Sequence, residues 1–130
     1  MKAATLITAT IVVAFASCLA LAGEESAEAK ARKKIRFNLA KIDASGLIGP
    51  PGGKVAVDYE FCIPNKEEFV KAVKRADPSV QMHRGSRGRI GCGKDEFLCI
   101  GNTHQKEWRK KILALAAMPY IKEIRRCFWE

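Results

Sequence analysis

The two histidines are the residues in this sequence whose chemistry best suits proton transfer. His83 and His104 flank a segment that reads as two strands joined at Gly93-Lys94, a dipeptide suited to a type II′ turn. In an unbulged hairpin of that register, the two imidazoles are cross-strand neighbours. Paired imidazoles beside cations can serve as acid and base on a phosphodiester, as in secreted ribonucleases. The spacing therefore raises a nuclease-like hydrolase as one hypothesis.

Two carboxylates offer a second kind of chemistry. Asp58 and Glu60 are two positions apart in a segment with strand periodicity, so they share one face of that strand. Paired carboxylates catalyse glycoside hydrolysis when they flank a sugar bond. The simpler interpretation is the solvated side of a strand, with Lys122 and Arg126 as ion-pair partners.

An arginine-rich run is the best candidate for binding. Residues 83–89 read HRGSRGR, in which the cations are Arg84, Arg87 and Arg89. Arginine binds phosphate or carboxylate with two parallel hydrogen bonds, and glycines let backbone N–H groups approach an anion. The run predicts an anionic or acidic partner, such as a protein. Nucleic acid fits the charge, but no nucleotide-binding motif accompanies the run.

Four cysteines follow the N-terminal segment, namely Cys62, Cys92, Cys99 and Cys127. An even number in a small exported chain predicts two disulfides. The predicted strand order favours Cys62–Cys92, which leaves Cys99–Cys127. The rival pairing is Cys62–Cys99 with Cys92–Cys127. The spacings contain neither a CxxC nor an HxxxH pair, so we expect no metal site and no cofactor.

The elements that position these residues centre on a strand over residues 54–63. Val55, Val57, Tyr59, Phe61 and Ile63 alternate with smaller or polar residues, the periodicity of a half-buried strand. Around it the pattern predicts, in chain order, a strand at 35–39, a helix at 65–76, strands at 80–84 and 97–102, a helix at 104–118 and a strand at 120–129. The fold class is therefore α+β. We expect a ferredoxin-like βαββαβ antiparallel sheet with two helices on one face, plus an extra N-terminal strand.

The N-terminal region reads as a targeting signal. Residues 1–22 combine Lys2, an uncharged apolar run and a small-x-small cleavage pattern, so we expect a signal peptide. Residues 23–34 are charged and rich in alanine, which predicts a flexible charged arm. Residues 35–130 then form a single disulfide-containing domain. We expect a secreted or periplasmic protein without a transmembrane segment in the mature chain, with a mature net charge of +8.

Residues 112–123, ILALAAMPYIKE, resemble the end of subtilisin propeptides and related peptidase inhibitors. In those proteins a helix runs through proline or asparagine into a strand written Val–x–x–Val–Glu, within the same βαββαβ order. The resemblance implies a peptidase-inhibitor-like role. With no evident catalytic set, the leading interpretation is a small basic binding module, and the alternative is the nuclease-like hydrolase.

Overall fold

The computed structural model describes residues 25–129, and this part of the chain has a mixed α+β fold. The predicted signal peptide lies outside the described residues. The elements are α1 (Ala27–Lys34), a 3-10 helix (Leu39–Lys41), β1 (Leu47–Ile48), β2 (Val55–Ala56), β3 (Asp58–Pro64), α2 (Glu67–Ala76), β4 (Gln81–His83), β5 (Glu96–Asn102), α3 (Trp108–Ala116) and β6 (Arg125–Arg126).

Strand β3 is the centre of a four-stranded sheet with the order β4-β5-β3-β6, in which all neighbours are antiparallel. The predicted alternation along it is confirmed from Val57 onward. Val57, Tyr59, Phe61 and Ile63 are buried, whereas Val55 lies before the strand and is exposed. A β-branched or aromatic residue at every second position thus gives the sheet one apolar face.

Two helices cover that apolar face. Helix α2 buries Val70 and Val73, and α3 buries Trp108, Ile112 and Leu115, all within the same core as β3. Helical spacing places these residues on one side of each helix. Each fully buried side chain of this kind contributes about 1.5–3 kcal/mol. The prediction of an α+β fold with an antiparallel sheet is therefore confirmed, and the described residues contain three α-helices.

The segment predicted to be a flexible arm instead forms α1 over most of its length. Ser26 begins the helix, and its Oγ accepts a hydrogen bond from Ala29 N at 3.1 Å. Arg32 and Glu28 form an ion pair one turn apart, at 2.9 Å. Only Ala31 is buried, and α1 packs against α3. A single small residue allows this close contact, so the helix needs no apolar stripe.

The predicted N-terminal strand at 35–39 does not form. Ile35 makes one isolated parallel bridge with Ile124, after which the chain turns into the 3-10 helix. The final strand is likewise only two residues long. The additional strand pairing is instead a small hairpin, in which Leu47 of β1 lies opposite Ala56 of β2.

A buried polar network joins the start of β4 to the central strand. Tyr59 donates a hydrogen bond to Asp77, which also accepts bonds from Ser79 and Gln105. Burial, followed by the charge of Asp77, raises the pKa of Tyr59 well above its ordinary value, so the phenol remains a donor. Gly101 lies opposite Tyr59, where any Cβ would clash with the ring. The network fixes the edge of the sheet on which the candidate site is built.

A candidate binding site on the open sheet face

The sheet face opposite the helices, here called the open face, carries mainly polar residues at its centre. The strand registers place on it Asp58, Glu60 and Cys62 of β3, Leu98, Ile100 and Asn102 of β5, and Gln81 and His83 of β4. These are the positions that alternate with the core residues. One face of β3 therefore makes the core, and the other presents functional groups.

Glu60 anchors the arginine-containing loop at residues 84–95 to the open face. It is only 3% exposed, and its Oε1 accepts a hydrogen bond from Ile90 N at 2.7 Å. Gly88 has a φ of +63°, and a Cβ there would lie 2.8 Å from Leu98 Cδ1. Only glycine fits both this backbone conformation and this close approach. The loop therefore lies directly on the sheet.

The disulfide Cys62–Cys92 holds the same loop two residues beyond Ile90 and confirms the favoured pairing. Cys92 N also donates to Arg87 O at 2.8 Å, so the backbone between them is turned back on itself. Arg84 is bound to Glu67 at 2.8 Å and lies over the Phe97 ring. Hence the structure holds the loop in one place, with Arg87 and Arg89 exposed to solvent.

The predicted second disulfide, Cys99–Cys127, is wrong, because both cysteines are free. Cys99 lies opposite Phe61 on the core side, with its Sγ 3.2 Å from Met82 Sδ. Cys127 follows β6, and its N–H donates to Asp58 O at 2.8 Å. Strand β3 separates the two thiols, which also belong to opposite faces. The rival pairing is excluded too, since Cys62 is bonded to Cys92.

Both free thiols are held in the neutral form. Burial raises the pKa of Cys99 to about 12. Burial, and then the carboxylate of Glu60, raises the pKa of Cys127 to about 11. The positive charge of Arg89 opposes this shift in the pKa of Cys127. Neither thiol therefore has the low pKa of a nucleophilic cysteine.

The structure does not bring the two histidines together. His83 lies opposite Leu98, and not opposite His104 as the predicted register requires. The strand from Leu98 to Asn102 extends over about 13 Å, and His104 follows its far end with Nδ1 3.2 Å from Ser45 O. The connection between β4 and β5 is a long folded loop instead of a two-residue turn. His83 is therefore paired with Leu98, six residues before its predicted partner His104.

The carboxylates of β3 are both engaged by the protein. Asp58 Oδ1 accepts from Asn102 Nδ2 at 2.7 Å, and its Oδ2 accepts from Trp129 Nε1 at 2.6 Å. Glu60 is buried under the loop. A hydrolytic pair needs both carboxylates to reach one bond in the substrate. Asp58 and Glu60 are instead positioning groups, one for Trp129 and one for the loop.

Trp129 forms the wall of a groove on the open face. Its indole is bound through Nε1 to Asp58, yet the residue is 65% exposed. The groove has a volume of about 240 Å³, and its lining includes Asp58, Gln81, His83, Ile100, Asn102 and Trp129. Strand alternation could have placed the β4 and β5 members together. No local pattern indicates that Trp129 returns to Asp58.

Positive charge is distributed unequally over the molecule. The segments 25–34 and 106–116, which contain α1 and α3, carry a net charge of +5. The loop at 84–95 carries +3 beside the two acidic residues of β3. The helix layer is thus the more cationic surface, whereas the open face combines cations with a groove.

Comparisons with known proteins give no assignment to set beside this geometry. No protein-family model, curated protein or solved structure matches the chain with significant similarity. Within residues 25–129, no helix is long and apolar enough to cross a membrane. The same residues contain no group of three or more His, Cys, Asp or Glu side chains arranged to hold a metal ion.

Proposed function

We propose that this protein is a small, exported, non-catalytic binding module that recognises an anionic or acidic partner with the loop at 84–95. The observation that carries this proposal is the hydrogen bond from Ile90 N to the buried Glu60, at 2.7 Å. A buried carboxylate that holds a surface loop in place indicates that the position of the loop is important for binding.

A rigid loop binds with less loss of conformational freedom than a mobile one. Glu60 and the disulfide hold the backbone at Ile90 and Cys92, just after Arg87, and the bond from Cys92 N to Arg87 O at 2.8 Å ties the Arg87 backbone to this anchor. Its guanidinium offers a planar set of donors that matches a carboxylate, sulfate or phosphate group. The loop thus supplies cationic donors from a fixed backbone next to the open face.

The enzyme alternative has less support from the geometry. A nuclease with His83 and His104 needs both imidazoles near one phosphodiester, whereas the strand register separates them.

Peptidase inhibition of the subtilisin-propeptide kind needs a C-terminal segment that can enter an active site. Here Trp129 is bound to Asp58 on the sheet. We therefore favour recognition by the face over inhibition by the tail.

The fold and location follow the same proposal. The strand order, with α2 joining β3 to β4 and α3 joining β5 to β6, supports a ferredoxin-like assignment. The Cys62–Cys92 disulfide supports a secreted or periplasmic location, since such bonds persist in oxidising compartments.

The proposal is tested with two double variants of equal charge change. Arg87→Ala with Arg89→Ala removes two loop cations, and Lys71→Ala with Lys74→Ala removes two exposed cations from α2. Binding to immobilised oligogalacturonate and polyglutamate is measured at physiological salt. We expect the arginine pair to weaken binding to at least one probe by about fivefold or more, and the lysine pair by less. Equal effects of the two pairs would mean that only net charge matters, and the proposal would fail.

A further inference from the structure

The groove beside Trp129 has the composition of a site for a polar ring. Its floor contains Ile100, and the exposed indole of Trp129 stands at one side. The indole is held in orientation by its hydrogen bond to Asp58. An oriented aromatic wall over an apolar floor favours a ligand with at least one flat, weakly polar face.

The groove also has hydrogen-bonding capacity that the protein leaves unused. Each carboxylate oxygen of Asp58 accepts one bond, from Asn102 or from Trp129, so each has a further lone pair. Among residues 25–129, the side chains of Gln81 and His83 have no hydrogen-bond partner. Together they offer acceptors and donors to hydroxyl groups, while the Asp58 carboxylate repels an acid placed directly in the groove.

The arginine-containing loop adjoins this groove. Gly88 packs on Leu98, and Leu98 lies two residues from Ile100 on the same face of β5, a separation of about 7 Å. Arg87 immediately precedes Gly88. A ligand ring in the groove and an acidic group at Arg87 are therefore within the span of two neighbouring units of a short polymer.

We propose that the open face binds an acidic glycan, with a sugar ring against Trp129 and a neighbouring acidic group at Arg87. This inference rests on the proposed function and names its ligand class. An acidic peptide fits less well, because an extended peptide is usually bound along a sheet edge through its backbone. The groove lies on the face of the sheet, and its carboxylate suits hydroxyl groups.

The test compares oligogalacturonate, a neutral galacto-oligosaccharide and polyglutamate as ligands of the full chain in titration calorimetry. The variants are Trp129→Ala and Arg87→Ala. Their matched controls are Phe128→Ala, an exposed aromatic residue stacked on Arg126, and Lys71→Ala, an exposed cation of α2 outside the loop. We expect Trp129→Ala and Arg87→Ala each to weaken oligogalacturonate binding by about fivefold or more, and the controls by less than about twofold. Trp129→Ala should leave polyglutamate binding unchanged.

Two results would overturn the glycan assignment while leaving the proposed function intact. In one, Trp129→Ala has no effect on oligogalacturonate binding although the arginine pair does. In the other, polyglutamate binds more tightly and depends equally on Trp129, which identifies a peptide as the occupant. A loss of the arginine dependence itself would instead remove the proposed function.

Fluorescence of the unaltered protein gives an independent readout, in case a variant fails to fold. Trp108 is buried, so acrylamide quenching reports mainly on Trp129. Saturating oligogalacturonate should reduce this quenching, and the neutral sugar should reduce it less. Unchanged quenching at saturation would contradict contact between the glycan and the indole.

Discussion

The two faces of the sheet use the same strand for different purposes. On the helix-covered face, Phe61 and Ile63 are fully buried against residues of α2 and α3. On the open face, Asp58 and Glu60 hold Trp129 and the loop at 84–95 in position. Burial stabilises the first arrangement, and directional hydrogen bonds and one disulfide stabilise the second. The core and the candidate site therefore use alternate residues of one strand.

The faces also differ in how their charge can act. The helix layer is the more basic surface, with exposed cations that include Lys30, Arg109 and Lys110. Long exposed side chains attract any polyanion, and salt screens that attraction. The loop cations of the open face are fewer, but they extend from a backbone that is held next to a groove. Total charge and specific recognition are thus expected on opposite sides of the molecule.

The largest difference should come from truncating a core aromatic residue and, for comparison, an exposed one. Phe61→Ala removes a fully buried ring and should lower the free energy of unfolding by about 3–5 kcal/mol. Phe128→Ala truncates a mostly exposed ring and should change it by less than about 1 kcal/mol. Urea unfolding followed by circular dichroism measures both. Similar losses in the two variants would contradict the placement of Phe61 in the core.

The disulfide should have the next largest effect. Changing both Cys62 and Cys92 to serine should lower the free energy of unfolding by about 2–4 kcal/mol, because the unfolded chain loses a constraint across a separation of 30 residues. Cys127→Ser is the control, since that thiol is free and only partly buried. Thiol titration of residues 23–130, unfolded without reductant, should find two groups. Four groups, or none, would contradict the pairing.

Removing the loop anchor should have a smaller and more local effect. Glu60→Ala should lower the free energy of unfolding by about 1.5–3 kcal/mol, because Ile90 N loses a charged acceptor. Hydrogen exchange at Ile90 should accelerate, whereas exchange at Phe61 should follow only the global change. Glu28→Ala on α1 is the matched control and should cost less than about 1 kcal/mol. Unchanged protection of Ile90 would mean that Glu60 does not hold the loop.

The smallest effect concerns the thiol at Cys127. Its pKa is raised to about 11, so the folded protein favours the neutral thiol. The stabilisation from this thiol is fully present below its ordinary pKa of 9.0 and is lost as the pH rises through about 11. Iodoacetamide alkylation should therefore increase with a midpoint near pH 11, and Glu60→Gln should lower that midpoint. A midpoint at or below pH 9 in the folded protein would contradict the contact with Glu60.

Sequence periodicity predicted the helix-covered face better than the open face. Val57, Tyr59, Phe61 and Ile63 alternate regularly, and helical spacing identifies Val73 and Ile112 as core positions. Such patterns reflect the burial of side chains, which recurs at regular intervals along a strand or a helix. Helix α1 is the exception on this face, because Ser26 and alanine propensity form it without an apolar stripe.

The open face depends on contacts between residues that follow no regular spacing in the sequence. The predicted turn at Gly93-Lys94 gave the wrong register, because residues 84–95 fold onto Glu60 and Leu98 instead of continuing the hairpin. The Cys62–Cys92 bond was predictable from strand order. The return of Trp129 to Asp58 joins residues 71 positions apart, and only the folded chain shows it.

Backbone amide chemical shifts during titration with oligogalacturonate test most directly whether recognition belongs to the open face. We expect the shifted resonances to cluster at residues 81–83, 87–90 and 98–102 and at Trp129, and to persist in 150 mM salt. The more basic helix layer should show only small shifts that salt abolishes. Saturable shifts confined to α1 and α3, with the groove and the loop unperturbed, would contradict the account.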